Sequence, residues 1–308
     1  MQIQWYPGHM HKAQKEIKEI LPNVDLIIEV LDARLPFSSE NPMISSLRGD
    51  KPCIKILNKS DLADPDVTAQ WQHYLEQEKN VKTLALTMEK SDKLKQLSAL
   101  CRKLVPNKGD NVRSLNALIM GIPNVGKSTL INALADRIIA KTGNEPAVTK
   151  TQQRINLRNG IVLIDTPGLL WPNVENKNSG YRLGITGAIK DTALVYADIA
   201  DFTAELLLDI YPESLKSRYE TETLPERSHE FLELVGRKRG CLSGGGQIDF
   251  DKTGKLFVGE LRNGLLGRVT LETPEVMEKE LAELAIHREE KAAKKAARKE
   301  RFKKSKKR

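Results

Sequence analysis

The sequence predicts an α/β fold: a parallel sheet with helices on both faces, followed by a smaller, mostly helical domain. Three observations carry this. Short β-branched apolar runs alternate with helical patterns through about the first 185 residues. The 308 residues are 40% hydrophobic, enough for a sizeable core and two domains. Beyond about residue 185 the strand patterns give way to amphipathic helical ones.

Residues 10–20 carry a helical pattern, and "VDLIIEVL" at 24–31 reads as a buried strand. "PCIKILNKSD" gives a second strand ending at Asn58, and "VKTLAL" at 81–86 a third, with helical patterns over 66–79 and 91–104. "SLNALIMGIPNVGKS" reads as strand, loop and helix, the helix covering 127–136, and "GIVLIDTPG" at 160–168 as a strand ending in a loop. Strands separated by helices run parallel, and ligands bind outside their carboxyl ends. Further on, 193–211 is an amphipathic helix, and 228–240 a helix with Ser228 as its cap and Gly240 as its stop. "SGGGQ" at 243–247 is a flexible loop, and a helix near 249–263 closes at Gly264. The expected units are 1–185, 186–286 and a tail, 287–308.

The net charge is +8, yet residues 287–308 hold 12 Lys and Arg against 3 Glu, which leaves the remainder at −1. A near-neutral body with a cationic tail points to a polyanionic partner, nucleic acid first. Rich in Ala, Lys and Arg but without an apolar stripe, the tail is expected to be disordered when free. No apolar run approaches the roughly 20 residues of a membrane span, and the N-terminus lacks a basic-then-apolar signal pattern. Cys53, Cys101 and Cys241 match no metal spacing and read as free thiols in a reducing cytoplasm.

"GIPNVGKS" at 121–128 fits G-x-x-x-x-G-K-[ST] in a strand–loop–helix context. Gly121 and Gly126 let backbone N–H groups close around phosphates at the positive end of a helix. Lys127 would neutralise the β- and γ-phosphates, and the Ser128 hydroxyl would hold Mg²⁺. "DTPG" follows: Asp165 is placed to hold Mg²⁺, and the Gly168 amide to sense the γ-phosphate. Thr149, between the two, would give Mg²⁺ a second hydroxyl, or be an ordinary loop residue. "NKSD" at 58–61 supplies base selectivity. Asp61 can accept from guanine N1–H and its N2 amine, a donor pair that adenine lacks. Asn58 would act on the O6/N7 side, and the Lys59 stem would cover the base. GTP, not ATP, is the expected nucleotide. Its expected contacts are Asn58, Lys59, Ser60, Asp61, Thr87, Asn124, Val125, Gly126, Lys127, Ser128, Thr129 and Gly168.

In ordinary GTPases the phosphate loop precedes the base reader, whereas here NKSD comes first. With "WYPGHMHKA", "IEVLDARLPFSSENP", the Thr149 loop and "LGRVTLE" at 266–272, these motifs resemble the circularly permuted GTPases of the ribosome biogenesis GTPase A (YlqF-type) family. The resemblance spans most of the chain. It departs at Thr87-Met88, where the family has Ser-Ala, and at Ala147, where it has Gly. It implies a circularly permuted P-loop GTPase domain, a role in late assembly of the large ribosomal subunit, and a helical domain that contacts rRNA. No membrane or DNA partner is expected.

Leu169 and Leu170 follow Gly168, where many GTPases have a Gln that orients water, so the catalytic group must come from elsewhere. His9 in "YPGHM" can polarise water near neutral pH, and the resemblance points to it as well; the alternative is a packing role. Asn124 would help hold K⁺ beside the bridging oxygens, as in potassium-stimulated GTPases, or simply stabilise its loop. Besides a GTPase that hydrolyses GTP to release its particle, a GTP-dependent RNA-binding scaffold with negligible catalysis stays open.

Overall fold

The computed structural model describes residues 15–87, 91–108, 114–140, 152–168, 170, 174 and 176–305. Six strands, β1 (Leu26–Asp32), β2 (Cys53–Asn58), β3 (Val81–Leu86), β4 (Leu115–Gly121), β5 (Gln153–Asn156) and β6 (Ile161–Asp165), form one sheet in the order β3-β2-β1-β4-β6-β5. All neighbours are parallel except β5, which runs antiparallel to β6 at the edge. β1 and β2 are buried along their whole length, as β-branched runs covered on both faces must be. The sequence reading missed β5: only Ile155 of its four residues is buried, too little for an alternating pattern to show.

The first half of the chain builds one side of the sheet, β1-β2-β3, and then crosses to β4 and builds the other. The switch in strand order therefore falls between β1 and β4, where open α/β sheets form their ligand crevice. The register lines up the strand ends there. Asp32 pairs with Asn58, Val30 with Gly121, and Ile119 with Asp165.

On the sheet pack α3 (Pro65–Leu75), capped by Asp64, α4 (Ser91–Leu104) and α5 (Lys127–Ala135). Residues 15–20 are helical, the described part of the helix expected at 10–20. Two short helices between β1 and β2, α1 (Pro36–Ser39) and α2 (Pro42–Arg48), were not expected. Each opens on a Pro and is too brief for a 3.6-residue period to register.

After β6 come α6 (Lys177–Ile185), α7 (Tyr196–Ile210), α8 (Pro212–Tyr219), α9 (Ser228–Lys238) and α10 (Phe250–Arg262). Tyr219, Phe231 and Phe257 form an aromatic cluster in this helical region. Its core and that of the sheet form one cluster, which includes Leu183, Ile185, Ala188 and Ile189. One local expectation is corrected. Ser228 does not cap α9; it lies inside the first turn and its hydroxyl donates to Asp201 (2.6 Å). The loop at 243–247 is closed by a Leu242–Ile248 bridge and a Ser243 N–H to Gln247 O bond of 2.8 Å.

The chain then turns back to the sheet. Trp71 Nε1 donates to Glu272 O (2.9 Å), and Met277 packs with Leu31, Leu57, Trp71 and Leu75. From there one helix, α11 (Pro274–Ser305), runs through the basic tail. Residues 287–305 of the tail, expected to be disordered when free, are helical here. The tail's Ala, Lys, Arg and Glu are strong helix formers, and its docked first turns supply the nucleus a free segment would lack. Glu280 fixes the start of α11, accepting from Arg182 (2.8 and 2.9 Å), Asn176 (2.7 Å) and Asn178 (2.9 Å).

Candidate nucleotide site

The loops after β1, β2, β4 and β6 meet at the crevice. Gly126 adopts φ +89°, and a Cβ there would lie 2.3 Å from Asn58 Nδ2, so only glycine lets the phosphate loop approach the NKSD loop this closely. Asn58 Nδ2 donates to Val125 O (2.6 Å). Lys59 Nζ reaches Asn124 O (2.8 Å) and Asp32 Oδ2 (3.0 Å). The two motifs, 67 residues apart from Asn58 to Val125, are tied directly. Asn58, expected at the O6/N7 side of the base, commits one amide hydrogen to the phosphate loop, and the Lys59 head is held between Asp32 and the phosphate loop. Ser60 N–H donates to Leu86 O (3.2 Å), which sets NKSD against the end of β3 and the half-buried Thr87. Asp61 is exposed.

Asp32 and Arg34, to which sequence reasoning gave no role, form the floor beneath NKSD. Arg34 grips Asp32 through Nε (2.9 Å) and Nη2 (2.8 Å), both residues being buried. Burial alone would raise the Asp32 pKa, but Arg34 and Lys59 outweigh it and hold the carboxyl well below its ordinary range. The available clue was two opposite charges, Asp32 and Arg34, directly after a strand expected to be buried.

On the other side of the crevice, Lys127 opens α5 with its ammonium against Asp165 Oδ1. Burial pushes the Lys127 pKa down and the Asp165 pKa up, and each partner offsets this only in part. Asp165 Oδ2 is buried and has no hydrogen-bond partner among the described residues. Ser128 is half-buried and Thr129 exposed in the first turn of α5, while Val125 is buried. A carboxylate oxygen lacking a partner, near a hydroxyl at the helix start, fits a hard cation such as Mg²⁺. A Cβ on Gly168 would come within 3.1 Å of the Pro123 backbone, so the DTPG turn lies directly on the phosphate loop. Leu170 is buried in the core. Asn124 Nδ2 donates to Gly187 O (2.7 Å), just past α6. His9, Thr149, Met88, Ala147 and Leu169 lie outside the described residues.

Residues 116–226 match the family model described as 50S ribosome-binding GTPase. That span starts in β4 and leaves NKSD N-terminal to it. The chain is 47% identical to ribosome biogenesis GTPase A of Bacillus cereus, over 89% of this chain and 95% of that protein. It is 33% identical to ribosome biogenesis GTPase A of Thermotoga maritima, over 89% and 95% of the two chains. The solved structure of GNP-bound YlqF from T. maritima superposes with a TM-score of 0.60 at 28% identity, covering 86% of this chain and 99% of that one. On these grounds the chain belongs to the ribosome biogenesis GTPase A family.

Proposed function

We propose that this GTPase binds rRNA or precursor particles of the large ribosomal subunit in its GTP form, and that hydrolysis releases it. The observation that carries the nucleotide half is the direct joining of base reader, phosphate loop and DTPG strand at the switch point of the sheet. The Asn58–Val125 and Lys59–Asn124 hydrogen bonds and the Lys127–Asp165 pair make that joint. The relatives are named for ribosome biogenesis, which supports the particle half.

In this reading Asp61 accepts from the guanine edge, and the backbone N–H groups of 124–128 surround the phosphates. An incoming phosphate draws Lys127 away from Asp165 and restores a full counter-charge to its ammonium. Ser128, Asp165 and Thr149 would hold Mg²⁺, which neutralises charge on the phosphates when bound. K⁺ would engage the side-chain oxygen of Asn124, whose nitrogen donates to Gly187 O. With Leu170 buried, His9 is the group proposed to orient water. Residues 1–185 supply the nucleotide site, 186–286 the site preference for RNA and 287–308 the electrostatic attraction. The site of action is the cytoplasm; no described helix is long and apolar enough to cross a membrane.

Co-sedimentation with large-subunit precursors in a non-hydrolysable GTP analogue and in GDP tests this. Binding should be stronger with the analogue, and single-turnover hydrolysis on particles should slow at least about tenfold in His9→Ala, the low end for a general acid or base. Equal binding in both nucleotides would refute the switch. Unchanged turnover in the variant would return His9 to a packing role.

A further inference from the structure

The last residue of α10, Arg262, belongs to the helical region, yet its side chain ends beside the Gly187 turn that Asn124 of the phosphate loop bonds; it also lies 3.5 Å from Asp191. Its Nε donates to Ile185 O (2.7 Å) and its Nη2 to Gly184 O (2.9 Å). These are carbonyls of the last turn of α6, where a cation is favoured; Gly184 O also accepts from the Gly187 N–H (3.2 Å). Immediately beyond, the chain turns at Gly187 (φ +77°), the residue whose carbonyl accepts from Asn124 of the phosphate loop. A Cβ on Gly187 would lie 3.7 Å from both Arg262 Nη2 and Asn124 Nδ2, so the two side chains converge on this turn.

The main chain of Arg262 makes a second connection. Its carbonyl accepts from Arg34 Nη1 (3.4 Å), Arg34 holds Asp32, Asp32 holds Lys59, and Lys59 Nζ donates to Asn124 O. The path from Arg262 thus reaches Asn124 twice, once through the Gly187 turn and once through the base reader's floor. The following segment reinforces the second route: Val269 N–H donates to Leu62 O (3.0 Å) and Leu271 N–H to Arg34 O (2.7 Å). Leu62 directly follows the NKSD motif.

We infer that Arg262 is a positioning residue for the nucleotide site, supplied by the helical region, and that it couples occupancy of that region to GTP affinity. The inference rests on the GTPase reading above. A shift of the end of α10 displaces the 184–187 turn and with it a hydrogen bond of the phosphate loop. Binding linkage is reciprocal: an RNA that moves α10 changes GTP affinity by the same factor that GTP changes RNA affinity.

The test is equilibrium binding of fluorescent GTP and GDP analogues to the full chain. The variants are Arg262→Gln, Arg262→Lys and Arg218→Gln, with Lys127→Ala as reference. Arg218 pairs with Glu260 of α10 (2.6 Å), so its loss perturbs the same helix without touching the site. Arg262→Gln should weaken nucleotide binding roughly tenfold, the loss of charge-assisted hydrogen bonds. Arg262→Lys, which keeps the charge but not the fork, should fall between it and the parent, and Arg218→Gln should stay near the parent. Combining Arg262→Gln with Asn124→Ala should cost less than the sum of the two, because both act on one turn. The inference is overturned by parental affinity in Arg262→Gln, by an equal loss in Arg218→Gln, or by strict additivity in the double variant. If Arg262→Gln does not fold, parental affinity in Arg262→Lys overturns it. Normal nucleotide binding in Lys127→Ala would instead remove the phosphate-loop reading on which the inference rests.

Discussion

On the guanine side of the crevice Asp32 is enclosed by the fork of Arg34 and the ammonium of Lys59, and both of its oxygens accept hydrogen bonds. On the phosphate side Lys127 and Asp165 are as deeply buried, but one Asp165 oxygen has no partner among the described residues and burial drives both groups toward their neutral forms. The Asp32–Arg34–Lys59 cluster is complete without a ligand, while beside it Asn58 Oδ1 is buried with no hydrogen-bond partner among the described residues. The second cluster holds a buried cation and anion that, in the proposed reading, take stronger partners from the nucleotide. A buried ion pair stabilises only where its hydrogen bonds are satisfied, so the two sides differ in purpose: one is scaffold and the other is poised for exchange.

The largest expected effect lies on the scaffold side. Asp32→Ala leaves Arg34 buried without its counter-ion and should cost about 3–5 kcal/mol of unfolding free energy, read by urea denaturation. The stability Asp32 lends also has a defined pH window. Its folded pKa lies below the ordinary value of 3.8, so the contribution is full above that value and is lost as pH falls through the lower, folded one. Asp32→Ala should flatten that part of the acid limb. A variant as stable as the parent would show that the guanine side is not a scaffold.

Next comes the phosphate side, where the effect should fall on binding. Lys127→Ala should weaken GTP at least about 100-fold, about 2.7 kcal/mol, while stability to urea changes far less than in Asp32→Ala. A large loss of stability with near-parental GTP affinity would reverse the assignment of the two clusters. A smaller effect is expected at the rim. Asp61→Asn should weaken GTP about tenfold and strengthen xanthosine triphosphate, since xanthine has an oxygen where guanine has its N2 amine. Unchanged preference between the two nucleotides would remove Asp61 as the guanine reader.

The buried strands and the three motifs could be read from sequence because their signals are local. "LIIEVL" and "CIKIL" are β-branched runs, and GIPNVGKS, NKSD and DTPG each lie at one strand's end. The edge strand Gln153–Asn156 and the helices Pro36–Ser39 and Pro42–Arg48 could not, since none repeats its period often enough to reveal it. The basic tail's composition speaks for the free segment, whereas Met277 and Glu280 anchor the start of its helix. The floor of the site was hidden for another reason. Arg34 meets Arg262 across 228 residues, and no local pattern encodes a pairing that only the return of the chain creates.

The central claim, a prebuilt guanine side and a phosphate side completed by its ligand, is tested most directly by amide hydrogen exchange in the nucleotide-free and GTP-analogue-bound states. Amides of 121–130 and 165–168 should gain strong protection on binding, while those of 32–35 and 56–58 should already be protected and change little. Equal gains on both sides, or gains concentrated at 32–35, would contradict the account.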